Sequence, residues 1–134
     1  MTLLTIAEIS KFADLQIAAE AFLHAVSSQD ELISALVEGN NHSSRFTPLA
    51  AERFAREWEI IDHAPNSSTG FSGTLFRNLQ TRELVMSLRS TEFVDDAVRD
   101  NMATNTMEIK NTGFAWGQLA DMEKWSHLQT CSRV

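Results

Sequence analysis

Apolar residues in the first half of the chain recur three and four positions apart, whereas between residues 70 and 89 they gather in short runs, so helices are expected first and strands afterwards. Thr5-Ile6-Ala7-Glu8 has the form of a capping box, in which the Thr5 hydroxyl accepts from a free backbone N–H and Glu8 reaches back. Ile9, Phe12, Ala13, Ile17 and Phe22 follow at helical spacing and predict a helix over about residues 6–25. Ser28-Gln29-Asp30-Glu31 repeats the box and opens a shorter helix with Leu32, Ile33, Leu36 and Val37 on one side, ended by Gly39-Asn40-Asn41. Thr47-Pro48 supplies a cap followed by proline at the first helical position, and Leu49, Phe54, Trp58 and Ile61 continue the apolar face of a third helix. Pro65-Asn66-Ser67-Ser68-Thr69-Gly70 then breaks the pattern.

Two apolar runs follow, Phe71 with Leu75 and Phe76, then Leu84, Val85, Met86 and Leu88, on either side of the polar stretch Arg77 to Arg82. This spacing predicts two antiparallel strands joined by a hairpin. Phe93 to Asp100 fits a helical turn, Asn101 to Asn111 an irregular polar loop, and Phe114 to Leu128 a last helix carrying Trp116, Leu119, Met122 and Trp125. Phe12, Phe22, Phe54, Trp58, Trp116 and Trp125 lie on helical faces and are assigned to core packing. The fold class is α+β: N-terminal helices, a β-hairpin and a C-terminal helix in a single domain over 134 residues.

Eighteen acidic against eleven basic residues give a net charge of −7, which repels a phosphate backbone and excludes nucleic-acid binding as a leading function. No apolar run reaches the ~20 residues of a transmembrane helix. The first eight residues have no basic region ahead of their apolar ones, which does not suit a signal peptide. The expected location is the cytoplasm, or the exterior if the chain belongs to a longer exported parent. The single Cys131 forms no intramolecular disulfide and reads as a thiol near the chain end.

Candidate chemistry is sparse. No Gly-x-Ser-x-Gly occurs, and Gly70-Phe71-Ser72-Gly73 lies at a strand start, not at the strand-to-helix bend that exposes a nucleophile. His24, His42, His63 and His127 are widely spaced along the chain and read as surface or capping residues. Asp62 and His63 are neighbours that point apart on a helix. Asp95, Asp96 and Asp100 lack the turn glycine and terminal acid of a calcium loop and suit a helix start instead. Gly113-Phe114-Ala115-Trp116-Gly117 has neither the third glycine nor the lysine of a phosphate cradle. No cofactor and no metal is therefore expected.

Gly70-Phe71-Ser72-Gly73-Thr74-Leu75-Phe76, followed by Leu84 to Glu92, resembles the beginning of the fungal-type (class 3) lipase domain. In that family a hydrophobic strand ends in an Arg-Gly-Thr or Arg-Gly-Ser turn, and Arg89-Ser90-Thr91 stands in that place here. Asp96 or Asp100 matches an aspartate that often follows the turn, and Thr112-Gly113-Phe114 resembles the Gly-Phe that opens the helix before the nucleophile strand. Leu15 to Leu23 and Ser90 to Asp96 are similar to the N-terminal region of large bacterial lipase-like proteins, some of which carry calcium-binding nonapeptide repeats far downstream.

The resemblance covers most of residues 5–128. It implies a helical lead-in at 5–64, the start of a partial α/β-hydrolase core at 70–128, Thr91 as an oxyanion donor through its N–H and hydroxyl, and Arg89 as support for that turn. It also implies that a strand and a Gly-x-Ser-x-Gly elbow follow the last helix, with an acid and a histidine further on. The chain instead runs Leu128-Gln129-Thr130-Cys131-Ser132-Arg133-Val134, so the expectation is a hydrolase truncated before its nucleophile and inactive by itself, lipid or ester substrates belonging to a complete parent. A two-stranded hairpin leaves an edge open, so a homodimer or a protein partner covering the sheet edge is expected. The alternative is a stand-alone acidic interaction or regulatory module. An enzyme of another type using His63, Asp96 and Asp100 ranks lowest.

Overall fold

A computed structural model describes residues 3–39, 45–65, 67–89 and 116–131. In chain order its elements are α1 (Ile6–Glu20), α2 (Gln29–Glu38), α3 (Pro48–Glu57), β1 (Trp58–Ala64), β2 (Gly73–Asn78), β3 (Leu84–Leu88) and α4 (Trp116–Cys131). The three strands form one antiparallel sheet in the order β1-β2-β3, giving the expected α+β arrangement of leading helices, a hairpin and a C-terminal helix. No described helix is long and apolar enough to cross a membrane. The expected turn at Phe93 to Asp100 and loop at Asn101 to Asn111 lie outside the described residues.

The helix starts follow local chemistry. Thr5 Oγ1 accepts from Glu8 N at 3.2 Å while Glu8 Oε2 accepts from Thr5 N at 2.8 Å, completing the box. Ser28 accepts from Glu31 N at 3.2 Å, and Thr47 from Ala50 N ahead of Pro48. At the end of α2, Gly39 takes φ +58°, and a Cβ there would meet Arg45 Cγ at 2.8 Å, so both backbone and space require glycine.

Three helical expectations are corrected. The first helix stops at Glu20 and not near residue 25, because Ala21 turns extended and the following stretch buries both Ala21 and Leu23. The third stops at Glu57: Trp58 caps it by donating to the Phe54 carbonyl, and residues 58–64, read as helix from Trp58 and Ile61, form the strand β1. Its run of Trp, Ile and Ile suits a strand, and pairing with β2 decides the matter. Finally, Ile9, Phe12 and Ala13, whose spacing predicts α1, are exposed, as is Phe22 beyond it, whereas Leu15, Ala18 and Ala19 face the core.

The chain divides into two compact units, Met1–His63 with Thr74–Arg89, and Ala64–Gly73 with Ser90–Val134. The core of the first joins Leu15, Ala18, Leu23, Leu32, Leu36, Phe54, Trp58 and Phe76. Phe54 sits at its centre, stacked on Trp58 at 6.5 Å and edge-on to Phe76 at 5.5 Å and Phe46 at 5.4 Å. Arg77 on β2 and Glu59 on β1 form a half-buried ion pair, with Arg77 Nε donating to Glu59 at 2.6 Å. The hairpin turn is closed by Asn78, whose side-chain oxygen accepts from Gln80 N and Thr81 N at 2.9 Å.

In the second unit, Thr69 Oγ1 donates to Asp121 Oδ2 at 2.7 Å, Gln118 Nε2 donates to the Thr69 carbonyl at 3.0 Å, and Phe71 lies 6.0 Å from Trp125. These contacts dock α4 on the turn before β2. The hydroxyls of Thr69 and Ser67 hold the Asp121 carboxyl below its usual range.

Candidate functional site at the end of the third strand

Arg89 immediately follows β3, and α1 fixes the strand that delivers it. Lys11 Nζ pairs with Glu83 at 3.0 Å ahead of the strand. The buried Ser87 hydroxyl donates to the Leu15 carbonyl at 3.1 Å, and Gln16 Nε2 donates to the Leu88 carbonyl at 2.9 Å. The Arg89 guanidinium lies 5.9 Å from the centre of the Phe22 ring, just past the end of α1. Lys11 and Leu15 share a helix face at an interval of four, and Gln16 borders that face. Thr91, the expected oxyanion donor, and Ser90 lie outside the described residues, as do Asp95, Asp96, Asp100 and the segment Thr112-Gly113-Phe114.

His63, read from sequence as a surface or capping residue, is half-buried on β1, with Nδ1 at 2.8 Å from Thr74 Oγ1 on β2. Burial, then the charges of Arg89 and His24, lower its pKa from 6.5 to about 4 against the opposing pull of Asp62. The imidazole is therefore neutral near pH 7. No sequence signal paired His63 with Thr74, because the residues are eleven apart and the first was assigned to a helix. His24 and His127 are exposed, the latter 3.7 Å from Glu123, and His42 lies outside the described residues.

The hydroxyl and imidazole of Thr74 and His63 have the spacing of a nucleophile and its base. Thr74, however, is fully buried, and a histidine whose pKa is about 4 is a weak base at neutral pH. The pair cross-links β1 and β2. Ser72 is likewise structural, 2% exposed, with its hydroxyl donating to the Ala64 carbonyl at 2.8 Å. Among the described residues no cluster of three His, Cys, Asp or Glu is placed to hold a metal ion.

The strand end carries the Arg89 guanidinium beside the Phe22 ring. A separate groove of about 420 Å³ runs between α1 and α3, lined by Lys11, Asp14, Phe46, Arg53, Glu57 and Trp58 among others; neither Arg89 nor His63 reaches it. Its mixed rim charges select no ligand class. Comparison with protein-family models, curated proteins and solved structures finds no match.

Proposed function

We propose that the chain is the front segment of a lipase-like serine hydrolase, a scaffold that holds the strand-end turn Arg89-Ser90-Thr91 and performs no ester hydrolysis by itself. The observation that carries this reading is the clamp of α1 on β3, through Ser87, Gln16 and Lys11, which holds the strand up to Arg89. In that role Arg89 supports the turn, and Thr91 offers its N–H and hydroxyl to the alkoxide formed when an ester carbonyl is attacked. Nucleophile and base come from elsewhere, since the 134 residues hold no Gly-x-Ser-x-Gly and the Thr74–His63 pair is closed to substrate. A lipid or other carboxylic ester is the substrate of the complete enzyme only.

Two measurements test the reading. Purified chain is expected to hydrolyse p-nitrophenyl esters no faster than buffer, and turnover that survives repurification would overturn the inactive-scaffold assignment. The coding sequence after the Val134 codon, in any frame, is expected to specify a strand and a Gly-x-Ser-x-Gly elbow; an unrelated gene there removes the hydrolase reading. In that event the chain is a stand-alone interaction module, a second reading favoured by the exposed apolar face of α1.

A further inference from the structure

Helix α1 is apolar on two opposite faces, and only one of them is covered. Leu15, Ala18 and Ala19 point into the core with 0–1% exposure. Ile6, Ile9, Ala13 and Ile17 recur at intervals of three, four and four, which places them along the other side. Ile6 is 87% and Ile9 55% exposed, Ala13 is exposed and Ile17 half-buried. Leu3 and Leu4 extend the patch ahead of the helix at 83% and 61%, and Phe12 flanks it at 40%. A helix that packs on one side only carries charged residues on the other; here Ser10 and Gln16 are the polar neighbours, and Glu20 closes the stripe at its C-terminal end.

We infer that this outer face of α1 is a self-association surface, and that its occupant is the α1 of a second copy, packed antiparallel about a twofold axis. The stripe is self-complementary in that direction: Ile6 meets the partner's Ile17, and Ile9 meets the partner's Ala13, whose small side chain lets the two backbones approach. Charge agrees with the direction. Antiparallel packing sets the two Glu20 carboxylates at opposite ends of the pair. A parallel pair would instead align the two Glu20 carboxylates.

The net charge of −7 on each copy opposes association elsewhere on the surface, but the stripe between Ile6 and Ile17 has no charged residue along its centre. Covering all the exposed parts of Leu3, Ile6, Ile9, Ala13 and Phe12 on both copies would remove at most on the order of 1,200 Å², the lower bound of a specific interface. An area at that bound suits a weak, reversible dimer that forms as the concentration is raised. This surface is a helix face and not the open sheet edge to which a partner is assigned from sequence, and it holds whether or not the hydrolase reading does.

The test is sedimentation equilibrium of the full chain across about 1–200 µM, for wild type, Ile9→Glu and Ala13→Glu. Wild type is expected to pass from the monomer to the dimer mass, and each variant to raise the dissociation constant at least ~10-fold. Both residues are exposed, so circular dichroism and the urea midpoint, measured below ~1 µM where the wild type is monomeric, should remain those of the wild type and show that folding is intact. A strict monomer throughout the range overturns the inference, as does a dimer that survives both substitutions. In a Cys131→Ser background, oxidation of mixed Ser10→Cys and Ala13→Cys chains should give the crossed disulfide. Ala13→Cys chains linking only to themselves would refute the antiparallel direction.

Discussion

Acidification should destabilise the fold through His63, and the size of the effect follows from its site. The ring has a pKa of about 4 in the folded chain and 6.5 when unfolded, so between these values the unfolded chain binds the extra proton. Stability is complete above pH 6.5, falls as the pH drops toward 4, and loses nothing more from this residue below that. At ~1.4 kcal/mol per tenfold difference in proton affinity the ceiling is about 3 kcal/mol; the ring is only half-buried, and solvent screening reduces the expected loss to ~1–2 kcal/mol. Urea unfolding should show the wild-type midpoint moving down by roughly 0.5–1 M between about pH 7 and pH 4.5. His63→Gln keeps a hydrogen-bonding partner for Thr74 but has no proton to gain, so its midpoint should be nearly flat over that window. Glu8, Glu31 and Asp121 carry lowered pKa values and contribute a loss at lower pH, common to both proteins. Parallel curves for the two proteins between about pH 6.5 and 4.5, or a His63 ring resonance that titrates near 6.5, would refute the reasoning.

Two further substitutions test the packing around the strand end. Phe76→Ala removes a fully buried ring that meets Phe54 edge-on at 5.5 Å and should cost ~3–5 kcal/mol by urea unfolding, a large share of the ~5–15 kcal/mol that a domain has; a loss below ~1 kcal/mol would show that Phe76 is not a centre of the core. Ser87→Ala together with Gln16→Ala removes two of the contacts between α1 and β3, at ~0.5–1.5 kcal/mol each. Amide exchange at Leu88 and Arg89 should then accelerate while α2 and α3 stay protected; unchanged exchange at those amides would show that α1 does not hold the strand end.

Where a structural rule acts over three or four residues, the sequence by itself determined the outcome. The Thr5, Ser28 and Thr47 caps, the stop at Gly39, the polar hairpin turn and the α+β order follow from side chains that satisfy nearby backbone groups, and each occurs where local chemistry places it. The place of Arg89 at the end of an apolar strand was legible for the same reason.

Tertiary structure decided what depends on distant partners. Trp58 to Ala64 has an apolar spacing that fits a helix as well as a strand, and the pairing with β2 selects the strand. That choice brings His63 to Thr74, a contact for which the sequence carries no signal. Periodicity also identified α1 without revealing its orientation. A helix with apolar residues on two sides has two candidate inner faces, and the burial of Leu15, Ala18 and Ala19 against the core and β3 leaves Ile6, Ile9 and Ala13 outside.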